Sequence, residues 1–379
     1  MPRSDPMRIL QVVGGLNRGG AETWLVQILG HIDRDRFHWD FLVHTTEPGA
    51  YDEEVKALGA RVIPCLKPSN WIQYALNFRR ILREYGPYDC VHSHVHHFSG
   101  YVLLLAAIMR IPMRIVHSHL DTRAIDQGAA FLRRAYLSWM EILIRRFATA
   151  GIAVSDNAAR SLFAESWISD PRFSLCPLGI DLRPFKQHVD PQQMRSELGI
   201  PPDAFVVGHV GRFVEQKDHR FLVEIAEHLC KLEPKAIFLL VGDGPLKPEI
   251  ENLVRSRGLN ERFVFTGVRR DVPRLMKGAM DCFLFPSLYE GLGLVLWEAQ
   301  AAGLPCVISD SIPEEADIVK ERVRRLSADA KAEDWAHELQ HMRLVVGRSK
   351  DDIPLELQGN TIEASAAILT RSYGSLRRT

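Results

Sequence analysis

Short apolar runs alternate with amphipathic stretches of helical period along this chain, and the alternation breaks once and then restarts. A strand covered on both faces reads as an unbroken apolar run, and a helix between two such strands makes them parallel. In the first half the runs fall at residues 8–13, 39–44, 61–64, 89–93, 114–117 and 149–154. Helical stretches lie between them at 21–31, 52–58, 71–84, 100–109 and 132–147. A last strand and turn at 175–181 leads into the polar stretch 182–202, which holds Pro184, Pro191, Pro201 and Pro202. The pattern then resumes, with strands at 205–210, 236–241, 263–265, 282–285 and 305–308 and helices at 220–232, 246–257, 272–280 and 291–302. This predicts an α/β protein of two facing, doubly wound, Rossmann-like domains, spanning 1–182 and 183–358. Such sheets bind ligands at the carboxyl ends of their strands, so facing domains would hold the ligand in the cleft between them. Residues 359–379 read as a final helix that crosses back to the first domain.

At 379 residues the chain is long enough for two sizeable cores. Lys plus Arg equals Asp plus Glu at 47 each, which argues against a nucleic-acid partner. Cys65, Cys90, Cys176, Cys230, Cys282 and Cys306 are scattered without CxxC or metal-ligand spacing and read as buried apolar residues of a reducing compartment. A short polar leader opens directly into the first strand, and no apolar run reaches the ~18 residues that a membrane span needs. The expectation is a cytoplasmic protein.

The segment Tyr289-Glu290-Gly291-Leu292-Gly293-Leu294-Val295-Leu296-Trp297-Glu298-Ala299 carries the most information. It follows the strand 282–285, and its helix is expected to begin near Gly291. Amides at a helix N-terminus form an anion site, and glycines let a phosphate approach the backbone. Glu290 and Glu298 are eight residues apart, which is ~12 Å along a continuous helix. That span suits a diphosphate sugar, with one carboxylate near the hexose and the other near the ribose. It is too wide for a glycosidase pair, set about 5–9.5 Å apart. By themselves, two glutamates at this spacing are equally an amphipathic helix with two solvated carboxylates. The second anchor, Gly211-Arg212-Phe213-Val214-Glu215-Gln216-Lys217-Asp218, follows the strand 205–210 directly. There Arg212 and Lys217 are placed to hold a diphosphate and the charge of a leaving group.

Together Glu290-x7-Glu298, Gly211-Arg212…Lys217, Val241-Gly242-Asp243-Gly244-Pro245 and Phe265-Thr266-Gly267 resemble retaining glycosyltransferases of the GT-B fold, family-4 type, in the bacterial capsular and exopolysaccharide branch. The resemblance runs from the glycine-rich loop near the N-terminus to about Asp317. It implies an acceptor-side first domain and a nucleotide-sugar-binding second domain. It further implies that Arg212 and Lys217 hold the donor diphosphate, that Glu298 binds the ribose and that Glu290 binds donor-sugar hydroxyls near the reacting carbon. Amides of Gly291, Leu292, Gly293 and Leu294 would meet phosphate and sugar, and the Val268 backbone would meet the base. Asp243-Gly244-Pro245 reads as a structural turn.

Gly14-Gly15-Leu16-Asn17-Arg18-Gly19-Gly20-Ala21-Glu22 joins the first strand to the first helix. It lacks the Lys-Ser/Thr of a P-loop and the spacing of a dinucleotide fingerprint. What remains is a loop whose amides, at Gly15, Gly19 and Gly20 above all, would face donor phosphates or an acceptor. A histidine at the end of the strand 114–117 lies, by the resemblance, against the donor sugar; His119 is preferred, with His117 the alternative register. His92, His94, His96 and His97 form a second cluster, read as a polar acceptor-side loop and not as a zinc site, since no carboxylate or cysteine joins it at metal-site spacing. Asp33-Arg34-Asp35 reads as a solvated turn. The basic, aromatic stretches 79–83 and 131–147 either pack on the sheet or lie on an anionic bilayer.

These readings predict transfer, with retention, of a hexose or N-acetylhexosamine from a nucleotide-diphosphate sugar to a glycan or polyprenyl-linked acceptor. A UDP-sugar is favoured over a GDP-sugar, and no cofactor, metal or nucleic acid takes part. Peripheral contact with the inner face of the membrane is part of the expectation. An epimerase or a non-catalytic nucleotide-sugar-binding protein of the same fold is the alternative.

Overall fold

The computed structural model describes residues 5–66, 68–123, 126, 128, 130–345 and 353–376. The chain divides into two compact units: Met1–Gly179 with Ile362–Thr379, and Ile180–Thr361.

The first unit holds a seven-stranded sheet in the order β3-β2-β1-β4-β5-β6-β7. Its strands are β1 (Met7–Val13), β2 (Phe37–Val43), β3 (Val62–Pro64), β4 (Cys90–Ser93), β5 (Met113–Ser118), β6 (Ala150–Ala153) and β7 (Phe173–Leu175). All pairings are parallel, as strands buried on both faces require. Strand order reverses between β1 and β4, where Gln11 pairs with His92. One layer of the core packs Leu10, Val12, Leu42 and Val91 of the sheet against Tyr74, Phe78, Ile81 and Val102 of the covering helices.

The second unit repeats the plan with six parallel strands in the order β10-β9-β8-β11-β12-β13. These are β8 (Phe205–Val210), β9 (Ala236–Val241), β10 (Phe263–Gly267), β11 (Cys282–Phe285), β12 (Cys306–Ser309) and β13 (Val323–Leu326). Here the order reverses between β8 and β11, so the connections that leave these two neighbours run to opposite faces of the sheet. Phe205, Val207, Phe238, Leu240 and Leu284 meet Leu222, Leu229, Trp335 and Leu339 in its core.

Several elements differ from the sequence reading. The polar stretch after residue 182 folds as two short helices, Arg183–Lys186 and Pro191–Glu197, each with a proline in its first turn, where no amide hydrogen is needed. The Asp190 side chain caps the second by accepting from the Gln192 amide. Strand β7 ends at Leu175, where the last strand had been expected to begin. Three further elements were not anticipated: the helix Asp156–Phe163, strand β13 and the helix Ala332–Val345. Ser155 caps the first of these through the Ala158 amide. The turn Asp33-Arg34-Asp35 is exposed, and the Asp35 amide donates to Asp33 Oδ1 at 3.1 Å.

The final helix, Ile362–Leu376, belongs to the first unit. Trp24 Nε1 donates to Ser365 Oγ at 2.9 Å, and the buried Tyr373 reaches Gln11 and His92. Among the described residues no helix is long and apolar enough to cross a membrane.

Candidate functional site

In the second unit the loop after β8 is braced by backbone on one side. The Gly211 amide donates to Val241 O at 3.0 Å, and the Phe213 amide donates to Asp243 O at 3.0 Å. This closeness excludes side chains: Gly242 has φ +141°, and a Cβ there would stand 2.0 Å from Gly211 O. Gly244, at φ +158°, would put a Cβ 2.6 Å from Phe213 O. Val241-Gly242-Asp243-Gly244-Pro245 therefore serves to hold the neighbouring loop.

On the other side that loop meets the one after β11. Lys217 Nζ donates to Glu290 Oε1 at 2.5 Å and stands 4.4 Å from the centre of the Phe285 ring. The two side chains are only 13% and 9% exposed. Two uncharged bonds run beside the pair: the Leu288 amide donates to Gln216 O, and Gln216 Nε2 donates to Tyr289 O. Asp218, at φ +46°, ends the turn that carries Lys217 and caps the helix His219–Leu232 through the Phe221 amide. Arg212 is exposed on the same loop, and no ion pair of its guanidinium is found among the described residues.

The helix after this loop begins at Leu294 and not near Gly291. Gly293 takes φ +70°, a left-handed turn that glycine enters freely, and serves as the N-cap. Gly291 and Leu292 are thus loop residues, and the anion-attracting helix end lies at Leu294. A straight helical rise from Glu290 to Glu298 does not exist. Glu298 instead lies half-buried, one turn into the helix Leu294–Ala301. Val268 follows Gly267, which has φ +68°, and is half exposed at the end of β10. The carboxyl ends of β8, β10 and β11 thus carry every second-unit residue expected from the sequence, and Lys217 and Glu290 are in direct contact.

In the first unit, the loop after β1 contains Gly14, Gly15, Gly19 and Gly20, with Gly20 opening the helix Gly20–His31. None of the four has positive φ. A Cβ at Gly14 or Gly20 would meet nothing within 4 Å, and one at Gly19 would meet only the flexible Glu22 side chain. Neither local backbone nor packing demands these glycines, which leaves open approach to the loop.

His117 lies inside β5 and is fully buried, whereas His119 lies just beyond the strand end. His119 Nε2 is 2.8 Å from His94 Nδ1, and His94 Nε2 is 2.9 Å from Gln11 Oε1. Burial pushes the His119 pKa down to about 3, with His96 adding to the shift. Burial also drives His92, His94 and His117 well below the usual imidazole range, so the group is uncharged at neutral pH. His92 is a buried strand residue of β4, while His96 and His97 form a short 3-10 turn with Phe98, so the cluster is not one loop. One ring nitrogen from each of His92, His94 and His117 lies within 4.8 Å of the others. Zinc holds its nitrogens at about 2.0–2.1 Å, however, and both nitrogens of His94 are already engaged. The His92 and His117 rings are nearly parallel, at 3°, so their lone pairs do not converge. These residues do not fit a metal as they stand. Gln11 and Tyr373 were not anticipated here; the one sequence signal was a glutamine within the apolar run of β1.

The helix Phe131–Phe147 buries Met140, Leu143 and Ile144. Its other side exposes Leu132, 81% accessible, with Phe131, Trp139 and Ile142. Trp139 stacks on Trp71 at 5.2 Å, which brings the helix Trp71–Tyr85 alongside with exposed Ile72, Leu76, Arg79 and Arg83.

Residues 19–179 match the family described as "Glycosyl transferase 4-like domain", and residues 190–343 match "Glycosyl transferases group 1". The chain is 38% identical over 336 residues to the putative glycosyltransferase EpsF of Bacillus subtilis, covering 88% of this chain and 87% of that protein. It is 29% identical over 227 residues to the UDP-Gal:alpha-D-GlcNAc-diphosphoundecaprenol alpha-1,3-galactosyltransferase of Escherichia coli, covering 59% and 58%. In fold it is similar to Anabaena Alr3699/HepE, solved in complex with UDP and glucose, with a TM-score of 0.73 at 21% identity over 98% and 97% of the two chains.

The ion pair carries a stability prediction. Lys217→Met leaves the Glu290 carboxylate largely buried without its cation and lowers unfolding free energy by about 3–5 kcal/mol. The double variant Lys217→Met/Glu290→Gln recovers most of that loss. Urea unfolding of both checks this, and a single variant as stable as the parent contradicts it.

Proposed function

The chain belongs to the group 1, family-4-like glycosyl transferases, and from that premise we propose a retaining enzyme that uses a nucleotide-diphosphate sugar, with UDP favoured over GDP. It moves a hexose or N-acetylhexosamine onto a glycan or polyprenyl-linked acceptor in cell-surface polysaccharide synthesis. The observation that carries this reading is the Lys217–Glu290 contact at the strand-order reversal of the second unit, with Arg212 exposed on the loop that carries Lys217. The Escherichia coli relative, by its name, takes UDP-galactose and a diphosphoundecaprenol acceptor, and HepE was solved with UDP. Both support the choice of donor and acceptor class.

An arriving diphosphate offers Lys217 a stronger anion than Glu290. As the ammonium turns to the phosphates, the Glu290 carboxylate is released to accept from donor-sugar hydroxyls. Arg212 adds a planar fork on the exposed side. The bond between the anomeric carbon and the diphosphate oxygen breaks, and the departing charge falls on Arg212, Lys217 and the helix end at Leu294. The acceptor hydroxyl attacks from the same face and passes its proton to the leaving phosphate, so the products are glycoside and nucleoside diphosphate. Glu298 binds the ribose, the Val268 backbone meets the base, and the amides of Gly291, Leu292 and Gly293 line the phosphate and sugar. In the first unit the open glycines Gly15, Gly19 and Gly20 admit substrate, and His119 contacts the sugar. Positive charge comes from side chains, so the reaction asks for no metal or cofactor.

The exposed apolar and arginine side chains of the helices Trp71–Tyr85 and Phe131–Phe147 suit an anionic bilayer surface, where a lipid-linked acceptor would be met.

Three sets of outcomes are expected. Glu298→Ala weakens UDP binding in calorimetry, whereas Glu290→Ala does not weaken UDP binding and lowers turnover; Arg212→Ala lowers turnover by about 10²–10³-fold. NMR of the product shows the donor's anomeric configuration retained. An inverted product, or reversed effects of the two glutamates, contradicts the assignment, and donor epimerised without acceptor favours the alternative reading. For the membrane, the protein co-sediments with phosphatidylglycerol vesicles and not with phosphatidylcholine vesicles, and Phe131→Glu/Leu132→Glu abolishes this. Equal sedimentation with both lipids, or an unaffected double variant, contradicts the contact.

A further inference from the structure

Five polar side chains from distant parts of the sequence form one hydrogen-bonded chain inside the first unit. Gln11 Nε2 lies 3.2 Å from Tyr373 OH, and Tyr373 OH lies 2.7 Å from His92 Nδ1. On the other side Gln11 Oε1 lies 2.9 Å from His94 Nε2, and His94 Nδ1 lies 2.8 Å from His119 Nε2. Gln11, His92 and Tyr373 are fully buried, so no bulk water competes for the two bonds of Tyr373, while the two bonds of His94 are part-buried.

The donors and acceptors along this chain can be assigned one after another. An amide NH2 only donates and an amide oxygen only accepts. Gln11 Nε2 therefore donates to the Tyr373 oxygen, and the phenol spends its single proton on His92 Nδ1. Burial holds the Tyr373 pKa well above its usual value, so that proton stays in place. Gln11 Oε1 must receive a proton from His94 Nε2. A neutral imidazole carries one N–H, so His94 Nδ1 is bare and accepts from His119 Nε2–H. His119 is in turn left with a bare Nδ1. That atom is buried and has no protein partner among the described residues. Turning the Gln11 amide over would reverse every step and leave His119 with an Nδ1–H instead.

We infer that Tyr373, Gln11 and His94 are positioning residues that fix His119 as the Nε2–H tautomer, so that its Nδ1 is an acceptor for a substrate hydroxyl. The catalytic consequence rests on the reading that His119 contacts the sugar; the tautomer assignment does not. An acceptor nitrogen favours a ligand that brings a hydroxyl proton, as every hexose does, over one that brings a carbonyl or phosphate oxygen. The final helix, far from the site in sequence, thereby sets the polarity of a site residue through the buried phenol.

Long-range 1H–15N correlation on the full-length protein with 15N-labelled histidine reads the tautomers directly. The expected result is protonated Nε2 and bare Nδ1 for both His94 and His119. Tyr373→Phe removes the phenol that anchors the Gln11 amide. His94 and His119 should then show mixed tautomers, with kcat lowered at least about tenfold, as misassigned tautomers do elsewhere, and donor KM little changed. If Tyr373→Phe does not fold, Gln11→Met is the second variant, with the same expected signature. A parent His119 protonated on Nδ1, or tautomers unchanged in the folded variant, overturns the inference. Parent turnover in His119→Ala with the tautomer signature intact would overturn the sugar-contact reading alone.

Discussion

A parallel sheet whose strand order reverses must leave a gap at the reversal, because the connections on either side run to opposite faces. In the second unit that gap lies between β8 and β11, and the chain fills it with two loops of opposite charge. Lys217 comes from one loop and Glu290 from the other, and nearly all of both side chains is shielded from water. Shielding strengthens their attraction and also makes either charge costly alone. A pair of this kind is stable until a better-placed anion arrives, which suits a site for a diphosphate. The glycines at 242 and 244 allow the backbone behind Lys217 to approach closely enough to hold it.

The first unit uses its reversal differently. Between β1 and β4 it holds a neutral network in which Gln11, His92 and Tyr373 are buried and His94 is half-buried. Burial keeps these imidazoles uncharged, so the network orients hydrogen bonds without adding charge. The helix Ile362–Leu376 completes it, and Trp24 ties that helix to the first helix through Ser365 while standing edge-on to His117. The second unit thus places an ion pair at its reversal, and the first places directed, uncharged polar groups at its own.

What the sequence revealed follows from burial. Strands 205–210, 236–241 and 282–285 were read with the observed limits because both their faces are covered and their runs are unbroken. Strand β13 escaped because it is an edge strand whose central Arg324 and Arg325 hide the apolar pattern. Arg325 in fact pairs with Asp317. Helix starts without a Ser, Thr, Asp or Asn cap were harder, and Gly293 moved one by three residues relative to Gly291. The positions of Arg212, Lys217, Glu290 and Glu298 after β8 and β11 were legible because those two strands were. The polar network was not, since Gln11 and Tyr373 lie 362 residues apart and meet only in the folded chain.

The central claim is that this enzyme transfers a sugar from a nucleoside diphosphate and does not merely bind or isomerise it. A panel of UDP- and GDP-sugars, read by release of nucleoside diphosphate with and without lipid-linked acceptor, tests that claim most directly. The account predicts release from one or a few UDP-sugars that rises strongly when acceptor is added, and none from the matching GDP-sugars. Release that is independent of acceptor, or absent with every donor while UDP still binds, would contradict it.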